Sequence, residues 1–426
     1  MVHSSVHRLL LLTILVGCTA PPGREAFVLR IAVWGPLGEL APTSNQSALA
    51  SIAQPLVYEK LATLDADEQL KPILAARVER LSGDRIQLEL QRDASFSDGT
   101  QVTDLDVVHS LESGGLRVTQ SERTLIVESS QRGLPADALL LEARVFRQQE
   151  GKPIGSGPFV VAARTDAEMR LVRRVRRAGR INDVRIIAYT TPRDAFAHTL
   201  RGDANLIVDL ESRWLEFFRG VPSLQVVRRA GRNADAFIFN TDLPRADRVQ
   251  LVSLLGTQRV RELAYGTAEC AESAEAASDE WAMPAGTALR LLSWGPFERL
   301  ALAARRALGD RGGEVYHLTP EETIARMKSR DFDLVTARPI RWPRSSMALI
   351  WRTGSANNFV GYSNAAVDRA IDAGDWTAAE IALQQDPPAA FVCTRDHVAV
   401  VDVRIRNPTL GPYDLLETLP EWEVAQ

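Results

Sequence analysis

Apolar and polar positions alternate in short runs along most of the chain. Residues 27–33 (FVLRIAV) and 85–90 (RIQLEL) put apolar side chains at every second position, the period of a strand with a buried face. Similar runs predict strands at 159–162, 169–175, 183–188, 205–208 and 235–240, and strands or a short helix at 124–128 and 138–146. Helical spacing covers 48–64, interrupted near Pro55, and 192–201 and 249–263. Thr103 with Asp106 three positions on reads as an N-cap opening a helix through Leu111. Asp98-Gly99 marks a tight turn. Residues 268–284 read as a loop or short helix. From Leu289 strand and helix alternate: strands at 289–293, 314–317 and 331–336, helices at 298–308 and 320–329, then a late strand at 398–403. That order predicts βαβ units on a mostly parallel sheet, so the chain reads as α/β lobes with an inserted antiparallel piece.

Composition narrows the function classes. The 426 residues are 45% hydrophobic and 24% charged, which excludes a disordered or collagen-like chain. Fifty Lys and Arg against 54 Asp and Glu give a net charge of -4, without the basic excess that draws a protein to nucleic acid. Only Lys60, Lys71, Lys152 and Lys328 are lysines, so nearly all cations are arginines. Three cysteines exclude a disulfide-dense scaffold.

Residues 9–17 form a short apolar run after His7 and Arg8 and end at Cys18. A run of about nine residues is too short to span a bilayer, which takes about twenty; it has the shape of a secretory signal. Leu15-Val16-Gly17-Cys18 resembles the bacterial lipobox, which implies removal of residues 1–17 and a lipid on Cys18. The mature chain is then expected in the periplasm or cell envelope, tethered to a membrane. In such an oxidising space Cys270 and Cys393 can pair, or remain two buried thiols; the polar run around Cys270 favours thiols.

Strong catalytic signatures fail: no G-x-x-x-x-G-K-[ST], H-E-x-x-H or G-x-S-x-G is present. Cys393 and His397, four apart, are a lone pair with no third metal ligand nearby in sequence. No enzyme activity, cofactor or metal is therefore expected.

Several stretches, in order, resemble one family: the extracellular solute-binding proteins of ABC importers, of the oligopeptide, dipeptide and nickel type (family 5). They are Pro55 to Leu61 with Leu70 to Ala75, Leu88 to Thr100 continuing to Asp104-Leu105-Asp106-Val107-Val108, Gly155-Ser156-Gly157-Pro158-Phe159, Leu200 to Asn205, Phe239-Asn240-Thr241, Asp247-Arg248-Val249, Phe332-Asp333-Leu334 and 357–368 (NNFVGYSNAAVD). The resemblance implies an α/β, two-lobed periplasmic-binding-protein type II fold with an inserted subdomain in the N-terminal half. Carried over, residues 18–54 and 155–246 form lobe I, 55–154 the inserted subdomain, 247–397 lobe II, and 398–426 return to lobe I. It also implies a monomer that captures a peptide or small polar ligand between lobes closing by a hinge, and delivers it to an ABC permease. A related use is a sensor or structural partner that has lost transport.

Candidate ligand-binding residues follow. Trp34-Gly35-Pro36 and Trp294-Gly295-Pro296 each end a strand that opens a lobe, and α/β lobes bind ligands at the carboxyl ends of strands. Asn240 and Asn357 lie in segments that carry the resemblance. Peptide-binding members place an Asp near a Trp-rich segment; here 341–346 keeps Trp342 but has Arg344 where the acid is expected. Arg338, Arg341, Arg344 and Arg352 are then candidates for a carboxylate or phosphate, against the plainer reading of solvated surface arginines. An anionic or neutral group beside Arg344 is the expectation.

Overall fold

The computed structural model describes residues 27–425 except 44–51, 66, 82–83, 122–123, 131–133, 267–269, 271–287, 356 and 412–413. The signal segment, Cys18 and most of the expected loop at 268–284 therefore lie outside the described residues.

Two sheets dominate. In the first, the strands run in the order Phe159–Arg164, Glu168–Arg173, Asp183–Tyr189, Leu29–Trp34, Leu206–Ile207, His397–Asp402, Leu224–Arg229. Leu29, Ile31 and Val33 point into one core with Met169, Leu171 and Trp422, while Ala32 points into another with Phe196 and Phe218. The second sheet runs Gly312–Leu318, Leu289–Trp294, Leu334–Ala337, Ala234–Phe239, Ala389–Thr394. Leu292, Val335 and Ile238 face one core and Leu291, Leu334 and Phe237 the other. Both sheets are covered on two faces, which is why their central strands read as nearly continuous apolar runs. They are mixed rather than mostly parallel: Leu29–Trp34 is parallel to both neighbours, but Ala234–Phe239 and His397–Asp402 are antiparallel to theirs.

The expected lobe boundaries shift with this topology. Ala234–Phe239 belongs to the second sheet, so the stretch 155–246 divides between the two lobes near residue 230. The return crossing lies at 395–396, where Ala389–Thr394 gives way to His397–Asp402. The two crossings run side by side: Arg229 pairs with His397 on one side and Ala234 with Thr394 on the other. They approach so closely that a Cβ on Gly231 would sit 1.8 Å from the Arg395 carbonyl oxygen, a contact only glycine permits.

Residues between the short helix Gln54–Val57 and Gly155 build a separate antiparallel layer, ordered Ala75–Leu81, Arg85–Leu90, Thr124–Ser129, Leu116–Ser121. Ile86, Leu88 and Val127 pack there against Phe96, Val107 and Leu111. Thr103 opens the helix Asp104–Ser113 with a reciprocal capping box to Asp106, as the sequence predicts. Three expectations change. Of the helix expected over 48–64, residues 48–51 lie outside the described residues; beyond them Gln54–Val57 is a single turn and Ala62–Leu64 is a strand. That expected over 249–263 is two helices, Arg245–Leu255 and Gln258–Tyr265, because Gly256 ends the first and Thr257 caps the second. Cys270 and Cys393 form a disulfide, because Gln258–Tyr265 packs Val260 and Ala264 beside Cys393 and carries the chain back to that strand. A link closing so long a loop contributes about 2–5 kcal/mol.

Candidate functional site

The topology sets two strand edges against each other. In the first sheet the parallel strands end at Trp34, Tyr189 and, just beyond Ile207, Asp209; in the second they end at Trp294, Leu318 and Ala337. Between these edges lies a cleft of about 370 Å³. Trp34, Asp209 and Trp214 line it from the first lobe, Gly295 and Arg338 from the second, and Arg395, Asp396 and His397 from the crossing. Beside it, within the second lobe, is a chamber of about 550 Å³. Trp294, Ile324, Val335, Ile350 and Phe359 are among its mostly apolar walls, and Asn357 stands at its rim. Arg338 lines both spaces. Mostly apolar walls with a few placed polar groups are the ordinary makings of a small-molecule site.

Both Trp-Gly-Pro turns contribute. Gly35 (φ 81°) and Gly295 (φ 49°) take left-handed backbone, turning the chain away directly after the tryptophan. Trp34 stays 38% exposed, its ring edge-on to Phe196 at 6.1 Å; Phe196 in turn packs on Trp214. Trp294 packs edge-on to Phe297 at 5.3 Å.

The charged groups are organised about the crossing. Asp235, 1% exposed, accepts from Arg338 Nε at 2.6 Å, Arg395 Nε at 3.0 Å and the Tyr265 hydroxyl at 2.9 Å. Burial works against the Arg338 charge, but the Asp235 carboxylate outweighs it and raises the guanidinium's pKa. Asp209 meets His397 Nδ1 at 3.1 Å. Its side chain is half exposed; desolvation by the surrounding cleft walls opposes its ionisation, but the His397 hydrogen bond and the charges of Arg338, His397 and Arg395 bring its pKa down to about 2. It is therefore a carboxylate at any ordinary pH.

Of the residues singled out in the sequence, the cleft and chamber gather Trp34, Trp294 and Asn357. Three lie elsewhere. Asn240 is 4% exposed and satisfies local backbone: its amide donates to the Phe332 and Arg330 carbonyls and its Oδ1 accepts the Asp242 N–H. Its strand is antiparallel to Leu334–Ala337, so Asn240 ends at the edge away from the cleft. Trp342 packs under Arg232 of the crossing, 4.2 Å from guanidinium carbon to ring centre, and does not line the cleft. Arg344 is half exposed, with Glu380 3.9 Å away and Glu68 accepting its backbone N–H at 3.3 Å, so it is no cleft anchor. Of the four candidate arginines, Arg338 is the one that lines the cleft, beside Arg395 of the crossing. Asp209 and Asp235 carried no sequence signal, because their roles come from strands paired far apart in the chain. His397 forms no metal pair with Cys393, whose sulfur is in the disulfide.

No family model matches the chain, and no curated protein matches it. Solved structures do. The oligopeptide-binding protein AppA of Bacillus subtilis, in complex with a nonapeptide, is 15% identical with a TM-score of 0.73, over 94% of this chain and 99% of that one. The binding protein AgaA of A. tumefaciens R10, with agropinic acid, is 15% identical with a TM-score of 0.76, over 94% and 99%. The ABC transporter substrate-binding protein CtaP of Listeria monocytogenes is 15% identical with a TM-score of 0.72, also over 94% and 99%. The chain thus has the two-lobed fold of the periplasmic solute-binding proteins over nearly its whole described length.

Proposed function

We propose that the chain is the substrate-binding component of an ABC-type importer, a divergent member of the oligopeptide, dipeptide and nickel-binding family. It captures a peptide-like or other small solute between its lobes and presents it to the permease. The observation that carries this reading is a cleft walled by both lobes and reached by the crossing at 395–396, beside which the crossing at 230–233 runs. Two lobes joined by two short connecting segments can rotate about them, and a solute that touches both walls favours the closed arrangement by its contacts there. The fold supports it, since its likenesses with solved structures are to binding proteins rather than enzymes. A fold does not name a ligand, and those neighbours hold a nonapeptide in one case and agropinic acid in another.

Protein purified without denaturant is expected to carry its solute, visible by native mass spectrometry. Returning that solute to stripped protein should lower the radius of gyration in solution scattering. An unchanged value at saturation would remove the hinged-trap reading.

The Leu15-to-Cys18 motif supports a lipid anchor that holds the chain outside the cytoplasm. Among the described residues no helix is long and apolar enough to cross a membrane. Metabolic labelling with palmitate should mark the wild type and not Cys18→Ser. Equal labelling of both would exclude the anchor.

A further inference from the structure

Opposite fixed charges enter the cleft from opposite walls. Asp209 comes from the first lobe, where Oδ1 meets His397; among the described residues no hydrogen bond uses Oδ2. Arg338 comes from the second, where Nε is committed to Asp235; among the described residues no hydrogen bond uses either Nη nitrogen. Arg338 also borders the apolar chamber, so a group bound on its Nη pair stands at the chamber's mouth. A simple anion placed there would face Asp209, Glu211 and Asp396. A simple cation would face Arg338 and Arg395. A molecule carrying both charges meets an opposite charge on each wall.

Resting on the solute-capture reading above, we propose that the cargo is a small zwitterion with a bulky apolar side group, of the α-amino-acid type. Its carboxylate lies on the Arg338 Nη pair, its ammonium on Asp209, and its side group fills the chamber between Trp294, Ile324 and Phe359. A guanidinium fork suits a carboxylate, taking both oxygens at once. The ligand ties one lobe to the other through its two charges, so the head group drives closure and the chamber selects the side group. The arrangement uses one compact head group and asks for no extended backbone along the cleft.

The test is calorimetric titration of the wild-type protein, stripped of solute, with four probes: L-tryptophan, L-tryptophanamide, indole-3-propionate and glycine. The amide lacks the carboxylate, the propionate lacks the ammonium, and glycine lacks the side group. L-Tryptophan should bind, and each deletion should cost roughly tenfold to a hundredfold in affinity, the worth of a charge-assisted contact or of one buried large side group. In Asp209→Asn the penalty for removing the ammonium should shrink towards unity while that for removing the carboxylate persists. Ile324→Trp fills the chamber without touching the charges, and should abolish the advantage of L-tryptophan over glycine. The proposal is overturned if L-tryptophan shows no binding at millimolar concentration. It is also overturned if the amide or the propionate binds within twofold of it, and both results stand on wild-type protein even if a variant misfolds. A co-purified solute of another class that still closes the lobes overturns the zwitterion and leaves the capture reading standing. An unchanged radius of gyration with that solute overturns the capture reading itself.

Discussion

Asp414→Ala should lower the unfolding free energy by about 3–5 kcal/mol, the cost of stranding buried charge. Asp414 lies in the C-terminal return and faces two cations from the other end of the chain. Lys60 Nζ is 2.9 Å from Oδ2, and Arg144 Nη2 donates to both oxygens at 3.0 and 2.9 Å. Lys60 is 3% exposed and the Arg144 side chain 5%. Arg144 also donates to Gln54 Oε1 at 2.7 Å, fixing it against the helix that leads into the antiparallel layer. One carboxylate thus joins the entry to that layer, its exit and the tail. Burial raises the pKa of Asp414, but the charges of Lys60 and Arg144 outweigh it, and the carboxyl titrates below its usual range. Burial, with Arg144 beside it, lowers the pKa of Lys60; Asp414 is what supports its ammonium.

The pH dependence has a definite sign. A carboxyl with a depressed folded pKa contributes stability that is fully present above its unfolded pKa, near 4, and is lost as pH falls through the folded value. The gap between wild type and Asp414→Ala should therefore be full at pH 7 and narrow in acid. Urea unfolding at both pH values reads it. Adding Lys60→Met to Asp414→Ala should recover part of the loss, since an apolar side chain of similar length needs no counter-charge. A loss under 1 kcal/mol at pH 7 would mean that water reaches these cations.

What could be read from the sequence was local. The Thr103–Asp106 cap, the strand at 85–90 and the two Trp-Gly-Pro turns depend on neighbours within a few positions, and the structure reproduces them. What could not be read depends on distant pairing. Asn240 is a candidate only through the segment that carries the resemblance, but strand direction decides which edge its strand end reaches, and direction is not written in a six-residue run. The disulfide joins residues 123 apart, and the polarity around Cys270 says nothing about Cys393. Arg338 stood among four candidate arginines with nothing local to separate it from Arg344. Its place at the cleft comes from the end of Leu334–Ala337, and its fixed pose from Asp235 across the sheet. The cleft as a whole was foreseeable only through the order of many weak segments, each of which shapes a turn or a cap rather than the site.

Asp235→Ala should be about as damaging as Asp414→Ala, and it should also disturb binding. Asp235 is the second residue of the strand just after the first crossing and is 1% exposed. Its two oxygens take Nε–H donors from Arg338 and Arg395, and Tyr265 adds its hydroxyl. Burial pushes the Tyr265 phenol pKa upward and the Asp235 charge pushes it further, so Tyr265 stays a neutral donor. Removing the carboxylate leaves two guanidiniums facing each other with one partner fewer, a loss of about 3–5 kcal/mol if both stay in place. Asp235→Asn should recover little, because a carboxamide offers one oxygen where the two arginines need two and turns an NH₂ towards one of them. Arg395 belongs to the second crossing and Arg338 to the cleft, so the same change frees the hinge and releases the cleft cation. Affinity for the native solute should fall more than tenfold even at temperatures where the variant remains folded. Asp242→Ala is the matched control: its ion pair with Arg330 spans 4.0 Å with the carboxylate 68% exposed, and its loss should cost under about 1 kcal/mol with binding unchanged. Denaturant unfolding and calorimetric titration of the three variants separate the effects. If Asp235→Ala keeps wild-type affinity, Arg338 holds its pose without its carboxylate, and Asp235 serves the stability of the crossing alone.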